Sequence, residues 1–174
     1  WGWGKVLCWA GLEGGGGCGR TETAGPEGRA TFRRGGRLVA FVRGSKRCVV
    51  EVETQSERAR TQGGRERLRY GKADWVYFEE VFNRNYQAYW WSPDSRRIAF
   101  FETDSSRVPT FTLVDDLPTD QVVEQAAYPR PGEPNPRVRL GLVSVAGGAP
   151  VYADWSAYDR DNHLITAVGW WPDS

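Results

Sequence analysis

One short pattern constrains the fold of this chain more than any other: an aromatic strand end, a four-residue turn and an apolar strand. Residues 31–41 read TFRRGGRLVAF and residues 90–100 read WWSPDSRRIAF, so the aromatic, turn and apolar positions coincide. A third copy begins at the end of the chain, where residues 169–174 read GWWPDS. Pro93 sets φ at the second turn position, and Asp94 and Ser95 tolerate the remaining turn conformations. Each copy therefore predicts a β-hairpin.

The spacing of these copies predicts a repeated sheet with insertions. The equivalent aromatic residues Phe32, Trp91 and Trp170 lie 59 and 79 residues apart, more than the roughly 40 to 50 residues of a plain propeller blade. Alternating apolar and polar residues at 48–53 and 138–145 add third strands. Repeated four-stranded units of this kind are typical of a β-propeller, so we predict an all-β, partial β-propeller. A β-sandwich, which also has short strands and frequent turns, is the alternative.

The number of copies limits how much of a propeller the chain can form. Three hairpin starts in 174 residues supply at most two full blades and parts of their neighbours, whereas propellers close with about four to eight blades. The chain contains no Met, which we interpret as the mark of an internal fragment or a processed product. The blades at both ends would expose apolar faces that pack against neighbouring blades in a complete propeller. We therefore expect the isolated piece to be marginally stable or prone to aggregation.

The first 29 residues differ in composition from the rest. They are Gly-rich, with four consecutive glycines at 14–17, and predict no regular element. Trp1, Trp3 and Trp9 are compatible with one face of a strand left from an earlier blade. We therefore divide the chain into a poorly determined segment, residues 1–29, and a partial propeller, residues 30–174.

The charge distribution gives no case for a nucleic-acid partner. The formal net charge is +1, and 20 of the 23 basic residues are Arg. Thirteen basic and four acidic residues lie between Arg29 and Lys72, and eight basic and fifteen acidic residues follow from Ala73 onward. The arginines occur singly or in pairs through strand and turn patterns, which is typical of a solvated face rather than a phosphate-binding surface.

Metal, disulfide and membrane signals are also weak. Cys8, Cys18 and Cys48 lack the spacing with His that a zinc site needs, and they are too few for a disulfide framework, although one pair could form. The longest apolar run, around residues 39–42, is far shorter than the roughly 20 residues of a membrane-spanning helix. We predict no metal, no cofactor and no membrane contact from this segment.

Two adjacent acids, Glu79 and Glu80, lie within the run DWVYFEEVF at residues 74–82. On an ideal strand neighbouring side chains leave on opposite faces, but a helical turn or a bulge would bring them within roughly 100° of each other. Two such carboxylates fit one α-ammonium group, which has a pKa of about 8 and three N–H donors. An amide nitrogen inside a chain lacks this charge. The other interpretation is an ordinary solvated acid pair.

These residues carry a family resemblance. Together, residues 74–82, 90–100 and YPRPGEPNP at 128–136 make the chain, from Ala30 to Ser174, resemble the N-terminal β-propeller domain of the dipeptidyl peptidase IV family. That family belongs to the serine peptidases of the prolyl oligopeptidase clan, and its propeller has eight blades. Its two adjacent glutamates hold the free amino end of the substrate, so the resemblance implies that Glu79 and Glu80 bind substrate. Phe78 departs from the polar or acidic residue usual there, and RRGG at 33–36 departs from the common serine-proline-aspartate-glycine turn.

The resemblance implies a function for the protein that contains this chain. It implies the substrate-selecting portion of a serine-type dipeptidyl aminopeptidase that releases Xaa-Pro and Xaa-Ala dipeptides. The catalytic triad would lie on an α/β-hydrolase domain beyond Ser174, because no G-x-S-x-G elbow occurs here. His163 lies in a polar stretch, and we expect a surface side chain rather than a general base. The family also uses an arginine from an earlier propeller segment, which no arginine of this chain matches.

The resemblance also implies which partners the protein binds. The substrate would be a peptide with a free N-terminus, and the stretch from Thr110 to Glu124 corresponds to an arm used for homodimer contacts, or is a plain exposed loop. A periplasmic or extracellular location is favoured. Two other functions remain: a non-catalytic propeller that serves as a protein-interaction module, and a periplasmic propeller of the translocation-protein type. The sequence that follows Ser174 distinguishes enzyme from module, since only the enzyme needs a nucleophile elbow.

Overall fold

A computed structural model describes most of the chain from residue 30 onward. The described residues are 8–9, 19–20, 30–33, 36–51, 56–115, 117, 122–159, 161 and 163–172. Within them the chain forms short antiparallel strands and one short helical turn. The all-β class and the short helical insertion around the acid pair are thereby confirmed.

The strands are numbered in chain order. They are β1 Cys8–Trp9, β2 Gly19–Arg20, β3 Thr31–Phe32, β4 Leu38–Arg43, β5 Lys46–Glu51, β6 Glu57–Ala59, β7 Leu68–Tyr70, β8 Tyr89–Trp91, β9 Arg97–Asp104, β10 Thr110–Asp115, β11 Val122–Ala127, β12 Arg137–Ser144 and β13 Val151–Tyr152. The helical turn, a wide π-type turn, spans Tyr77–Val81 and is called the Glu turn below.

The first blade is the antiparallel sheet β3-β4-β5-β6. The predicted hairpin of the first repeat is confirmed as β3 and β4, and the Arg33 N–H donates to the Leu38 carbonyl at 2.8 Å. Gly44, at φ +57, turns the chain between β4 and β5, a conformation that glycine adopts without steric cost. The third strand, β5, begins two residues earlier than the predicted 48–53, and Glu51 is its last described residue.

The second blade is a five-stranded sheet in which β8, β9, β12 and β13 lie in this order, and β7 pairs with β9 beside β8. Its first hairpin is the second predicted repeat, and its turn closes through a Ser95 N–H to Ser92 carbonyl bond of 2.8 Å. Asp94 Oδ1 accepts the Arg96 N–H at 3.0 Å, and Ser95 takes a left-handed φ of 60. The predicted third strand at 138–145 is confirmed as β12, Arg137–Ser144.

The third repeat does not form the predicted strand end. Residues 163–171 belong to no strand, and residue 172 lies in a turn. In the first two repeats the aromatic strand end is held by the apolar strand that follows the turn. For the third repeat, the described residues contain no such partner strand, and no ladder forms there.

The two blades pack side by side through an apolar core. Ala40, Val42 and Val49 of the first blade are buried in one cluster with second-blade residues that include Ile98 and Phe100. The Tyr89 hydroxyl crosses between the blades and donates to the Ala40 carbonyl at 3.0 Å. Because side chains alternate along a strand, the next residue, Phe101, lies in a second buried cluster on the opposite face of β9.

Two insertions leave the second blade. One is the hairpin β10-β11, here called the arm, which lies between β9 and β12 in the chain and forms a separate two-stranded sheet. The other runs through residues 71–88, between β7 and β8, and contains the Glu turn. Both were predicted as insertions or exposed segments between the repeats.

Little of the first 29 residues is described. β1 and β2 pair with each other through Cys8 and Arg20, and through Trp9 and Gly19. The predictions on Trp1, Trp3 and the glycine run at 14–17 fall outside the described residues, as do the side chains of all three cysteines. Within the described part, no helix is both long and apolar enough to cross a membrane.

Candidate functional site

The insertion that carries Glu79 and Glu80 is tied closed at its base. β7 and β8 pair with different parts of the same edge of β9, so the chain leaves the sheet after β7 and returns to it at β8. Gly71 donates its N–H to the Phe101 carbonyl at 2.8 Å, and Phe101 donates to Ala88 at 2.9 Å. Ala88 donates in turn to Gly71 at 3.1 Å. The blade therefore fixes both ends of the insertion.

Asp74, three residues before the Glu turn, accepts hydrogen bonds from its first residues. Asp74 Oδ1 accepts the Tyr77 N–H at 3.1 Å, and its carbonyl accepts the Phe78 N–H at 2.9 Å. The Phe82 N–H then reaches back five residues to the Tyr77 carbonyl at 2.7 Å, which is the hydrogen bond of a π-type turn. The short polar side chain at the start of the turn satisfies N–H groups that would otherwise lack a partner.

Asp74 itself is deeply buried. Burial raises the pKa of its carboxyl above the usual value, against the lowering effect of the N–H donors of Tyr77 and Val76. Its second oxygen, Oδ2, has no hydrogen-bond partner in the described part of the chain. Asp74 is therefore a buried polar group whose hydrogen-bonding capacity is only partly satisfied, which costs free energy.

Tyr77 anchors the inner side of the turn. Its side chain is fully buried and packs edge-on against Phe101, with ring centroids 5.5 Å apart. Its hydroxyl oxygen accepts the Ile165 N–H at 3.0 Å. Burial raises the pKa of the Tyr77 hydroxyl to about 12. Since one side of the turn is held in the core, its other side must face outward.

Glu79 and Glu80 lie on that outward side and line the same cleft. The helical turn predicted to bring them together is present. The cleft has a volume of about 410 Å³ and lies between the Glu turn and the root of the arm. Its remaining lining is almost entirely apolar or aromatic and consists of Trp75, Phe111, Leu113, Ala126 and Tyr128.

One of the two glutamates has an internal counter-ion. Asn83 and Arg84 follow the turn with left-handed φ values of 47 and 62, which reverse the chain. Arg84 thereby returns to Glu79, and its Nη2 and Nε lie 2.8 and 3.1 Å from Glu79 Oε1. The Arg84 side chain is 76% exposed and is not part of the cleft lining. Glu80 has no ion pair among the described residues.

Phe78, the departure noted in the sequence, does not line this cleft. Its ring stacks on Tyr86 with centroids 3.8 Å apart and an interplanar angle of 10°. Both residues line a separate cavity of about 300 Å³ together with Lys72 and Arg84. Phe78 packs against Trp75, a residue of the acid-pair cleft, with ring centroids 6.2 Å apart, but does not itself line that cleft.

Comparison with known proteins places the chain in a family. The family model for the dipeptidyl peptidase IV (DPP IV) N-terminal region matches residues 22–174. The chain belongs to this family. The partial propeller of the DPP IV N-terminal region accounts for the four-stranded and the five-stranded sheet, and the β-sandwich alternative is set aside.

Relatives in this family carry peptidase names. The chain is 34% identical over 145 residues to probable dipeptidyl-aminopeptidase B of Emericella nidulans, an alignment that covers 76% of this chain and 16% of the relative. It is 34% identical over 166 residues to probable dipeptidyl-aminopeptidase B of Aspergillus fumigatus, covering 86% and 18%. Among solved structures, Porphyromonas gingivalis dipeptidyl peptidase 4 superposes with a TM-score of 0.72 at 25% identity, covering 90% of this chain and 24% of that one. The chain thus spans less than a fifth of these curated relatives.

Several residues around the acid-pair cleft were not identified from the sequence. Phe111 and Leu113 alternate along β10, which signals one apolar face of a strand, but not that this face meets the acid pair. Tyr128 was noted only as part of a sequence signature. Arg84 had no local signal, because its position depends on two left-handed residues that are not glycines.

His163 is less exposed than predicted. It is partly buried, and its ring stacks on Trp155 at a centroid distance of 5.8 Å. Its Nδ1 lies 2.7 Å from the Asp159 carbonyl oxygen, so Nδ1 carries the proton and donates. Among the described residues no group of His, Cys, Asp or Glu is arranged to hold a metal ion.

Proposed function

We propose that this chain is the substrate-selecting propeller portion of a serine-type dipeptidyl aminopeptidase, and that Glu79 and Glu80 bind the free amino end of the substrate. One observation carries this proposal: both carboxylates line a single cleft on a turn that is anchored in the core. Glu80 is exposed and has no ion pair in the described part of the chain. It is therefore available to a cation from outside.

The chemistry of the cleft favours an α-ammonium group. Hydrogen bonds to charged groups contribute about 1.5 to 3 kcal/mol each, and an ammonium has three N–H donors to share between two carboxylates. A peptide whose amine is blocked has no such charge. The site would therefore recognise a chain end and hold the peptide at a fixed distance from it, which is what removal of a dipeptide requires.

We propose hydrolysis of the peptide bond for the whole protein that contains this chain. The names of the relatives support cleavage after the second residue of a peptide, and the resemblance points to Xaa-Pro and Xaa-Ala dipeptides. A serine hydroxyl would attack the carbonyl of that second residue and release the remaining peptide as an amine. Water would then hydrolyse the acyl-enzyme and release the dipeptide.

The test uses a full-length protein that contains this chain. Glu79→Gln and Glu80→Gln keep side-chain size and remove one charge each. We expect kcat/KM for a free-amine Ala-Pro substrate to fall about 10- to 150-fold for each variant, the equivalent of one charged hydrogen bond. A substrate with a blocked amine should show no such loss. Glu133→Gln, which changes a carboxylate outside the cleft, serves as the control. Equal rates for the parent and both variants would disprove the assignment.

We also propose that a second copy of the protein covers the arm. The arm projects from the second blade as its own two-stranded sheet, and large apolar side chains are exposed along it, including Val114, Val122 and Val123. Exposed apolar strand segments of this kind commonly pair with another chain. The resemblance implies that the partner is identical.

A further inference from the structure

We infer that a second cavity, at the root of the arm, binds a small oxyanion of the phosphate type. This root cavity has a volume of about 280 Å³ and adjoins the acid-pair cleft, because Trp75 and Ala126 line both. The inference goes beyond the proposed function and does not depend on it. The evidence is a pair of cations in the wall of the cavity that no carboxylate neutralises.

Three parts of the molecule enclose the root cavity. The strand β7 supplies Arg69, the start of the insertion supplies Lys72, and the arm supplies Thr110 and residues 124–127. The volume is several times the roughly 30 Å³ that one water molecule occupies in the liquid, so an ion of a few heavy atoms fits. A ligand in this cavity would contact the arm and the insertion at once.

Arg67 connects the arm to the blade at the edge of the root cavity. Its Nη1 donates to the carbonyls of Ser105 and Val108 at 3.2 and 2.7 Å, and its Nη2 donates to the Thr110 hydroxyl at 2.6 Å. Arg67 lines the cavity and adds positive charge to it. Its terminal nitrogens already have partners, so other groups must bind the ligand.

Two further cations in the wall have no carboxylate partner. Arg69 donates from Nε to the Glu66 carbonyl at 2.9 Å, and its terminal nitrogens make no hydrogen bond in the described part of the chain. Lys72 Nζ lies 5.4 Å from the centroid of the Tyr86 ring and has no ion pair among the described residues. Burial and the positive charge of Arg69 lower the pKa of the Lys72 ammonium. An anion beside both groups would relieve this repulsion.

Three carboxyl groups also line the root cavity, but none of them forms an ion pair with these cations. Glu66 and Glu124 are exposed to solvent and have no ion pair within the described ranges. Asp74 is buried, and burial raises the pKa of its carboxyl, which favours the neutral form. A neutral carboxyl does not repel an anion, so the partly buried side of the cavity keeps its positive charge.

A buried hydroxyl adds a further donor to the same wall. Ser105 lines the cavity and is 1% exposed, and its Oγ has no hydrogen-bond partner in the described part of the chain. An oxyanion offers acceptors to Ser105, Arg69 and Lys72 alike. Arg69 and Lys72 would repel a cation, and an apolar ligand would leave their charges without partners. The chemistry of the wall therefore fits an oxyanion best.

The experiment measures the binding of inorganic phosphate to the full-length protein by calorimetry, at constant ionic strength with chloride as the background anion. We expect Lys72→Met and Arg69→Met each to raise the Kd about tenfold or more, the loss of one hydrogen bond to a charged group. Arg96→Met, which removes an exposed charge outside the cavity, is the matched control and should keep the parental Kd. Lys72→Arg keeps the charge and should retain binding.

A second measurement protects against variants that fail to fold. Melting curves without phosphate show whether each variant is folded. Phosphate should then raise the melting temperature of the parent, Arg96→Met and Lys72→Arg, but not of Lys72→Met or Arg69→Met, because a ligand that binds only the folded state stabilises it. No binding to the parent, or an equal Kd in the parent and both Met variants, would overturn the inference. The activity of Glu79→Gln and Glu80→Gln tests the proposed function separately.

Discussion

Arg84 controls how much negative charge the cleft presents. Arg84 neutralises part of the negative charge of Glu79 from a position that does not line the cleft. The positive charge of Arg84 would therefore repel a bound ammonium group without contacting it. Exposed ion pairs of this kind contribute about 0 to 1 kcal/mol and are screened by salt. Removing Arg84 should therefore help the binding of a cation more than it harms the fold.

The corresponding prediction concerns Arg84→Met in the full-length protein. We expect KM for free-amine dipeptide substrates to fall about two- to fivefold at low ionic strength, and the difference from the parent to disappear at high salt. Blocked-amine substrates provide the control and should not respond. A higher KM in the variant would show instead that Arg84 is needed to orient Glu79.

At the scale of elements, the Glu turn depends on one buried tyrosine. Tyr77→Phe would leave the buried Ile165 N–H without its acceptor, at a cost of about 1 to 3 kcal/mol. We expect faster amide hydrogen exchange at residue 165 and through the turn, while the first blade exchanges as in the parent. Unchanged protection at both places would show that this contact does not hold the turn.

The raised pKa of Tyr77 gives the same element a pH dependence. Its hydroxyl ionises at 10.0 when unfolded and at about 12 in the fold, so the folded state binds more protons between these values. The stabilising contribution is complete below pH 10 and is lost as the pH rises toward 12. The free energy of unfolding should therefore fall more steeply over this interval in the parent than in Tyr77→Phe.

The hairpins were predictable from sequence, whereas the site was only partly so. Pro93, Asp94 and Ser95 specify their turn by local conformational preference, and the strands beside them show the alternation of a sheet. The direction in which the side chains of Glu79 and Glu80 point depends instead on the hydrogen bond between residues 77 and 165. No local sequence pattern reveals this bond. No strand is described at the third repeat, because an aromatic strand end needs a partner strand.

At the scale of the whole molecule, the arm is the surface that we expect to contact a second copy of the protein. Val123 is 59% exposed on β11, so Val123→Glu would place a charge in any interface that covers it. We expect light scattering to show half the parental mass for this variant. Val151→Glu, an equally exposed apolar position on the outer strand β13, should keep the parental mass. An unchanged mass for Val123→Glu would argue against the dimer.

The number of blades was also predictable at this scale, but their connections were not. Counting the repeats predicted at most two full blades, and the described residues form one four-stranded and one five-stranded sheet at these positions. Sequence alone did not indicate that β7 and β8 share one edge of β9, because pairings of this kind depend on the tertiary fold. That shared edge brings the Glu turn and the arm to the same side of the blade, where they form one cleft.

The most direct test is a crystal structure of the full-length protein with a bound Phe-Pro dipeptide. The account predicts that the dipeptide nitrogen lies within hydrogen-bonding distance, about 2.7 to 3.2 Å, of carboxylate oxygens from both Glu79 and Glu80. An amine held by other residues, with the two glutamates left in solvent, would contradict it.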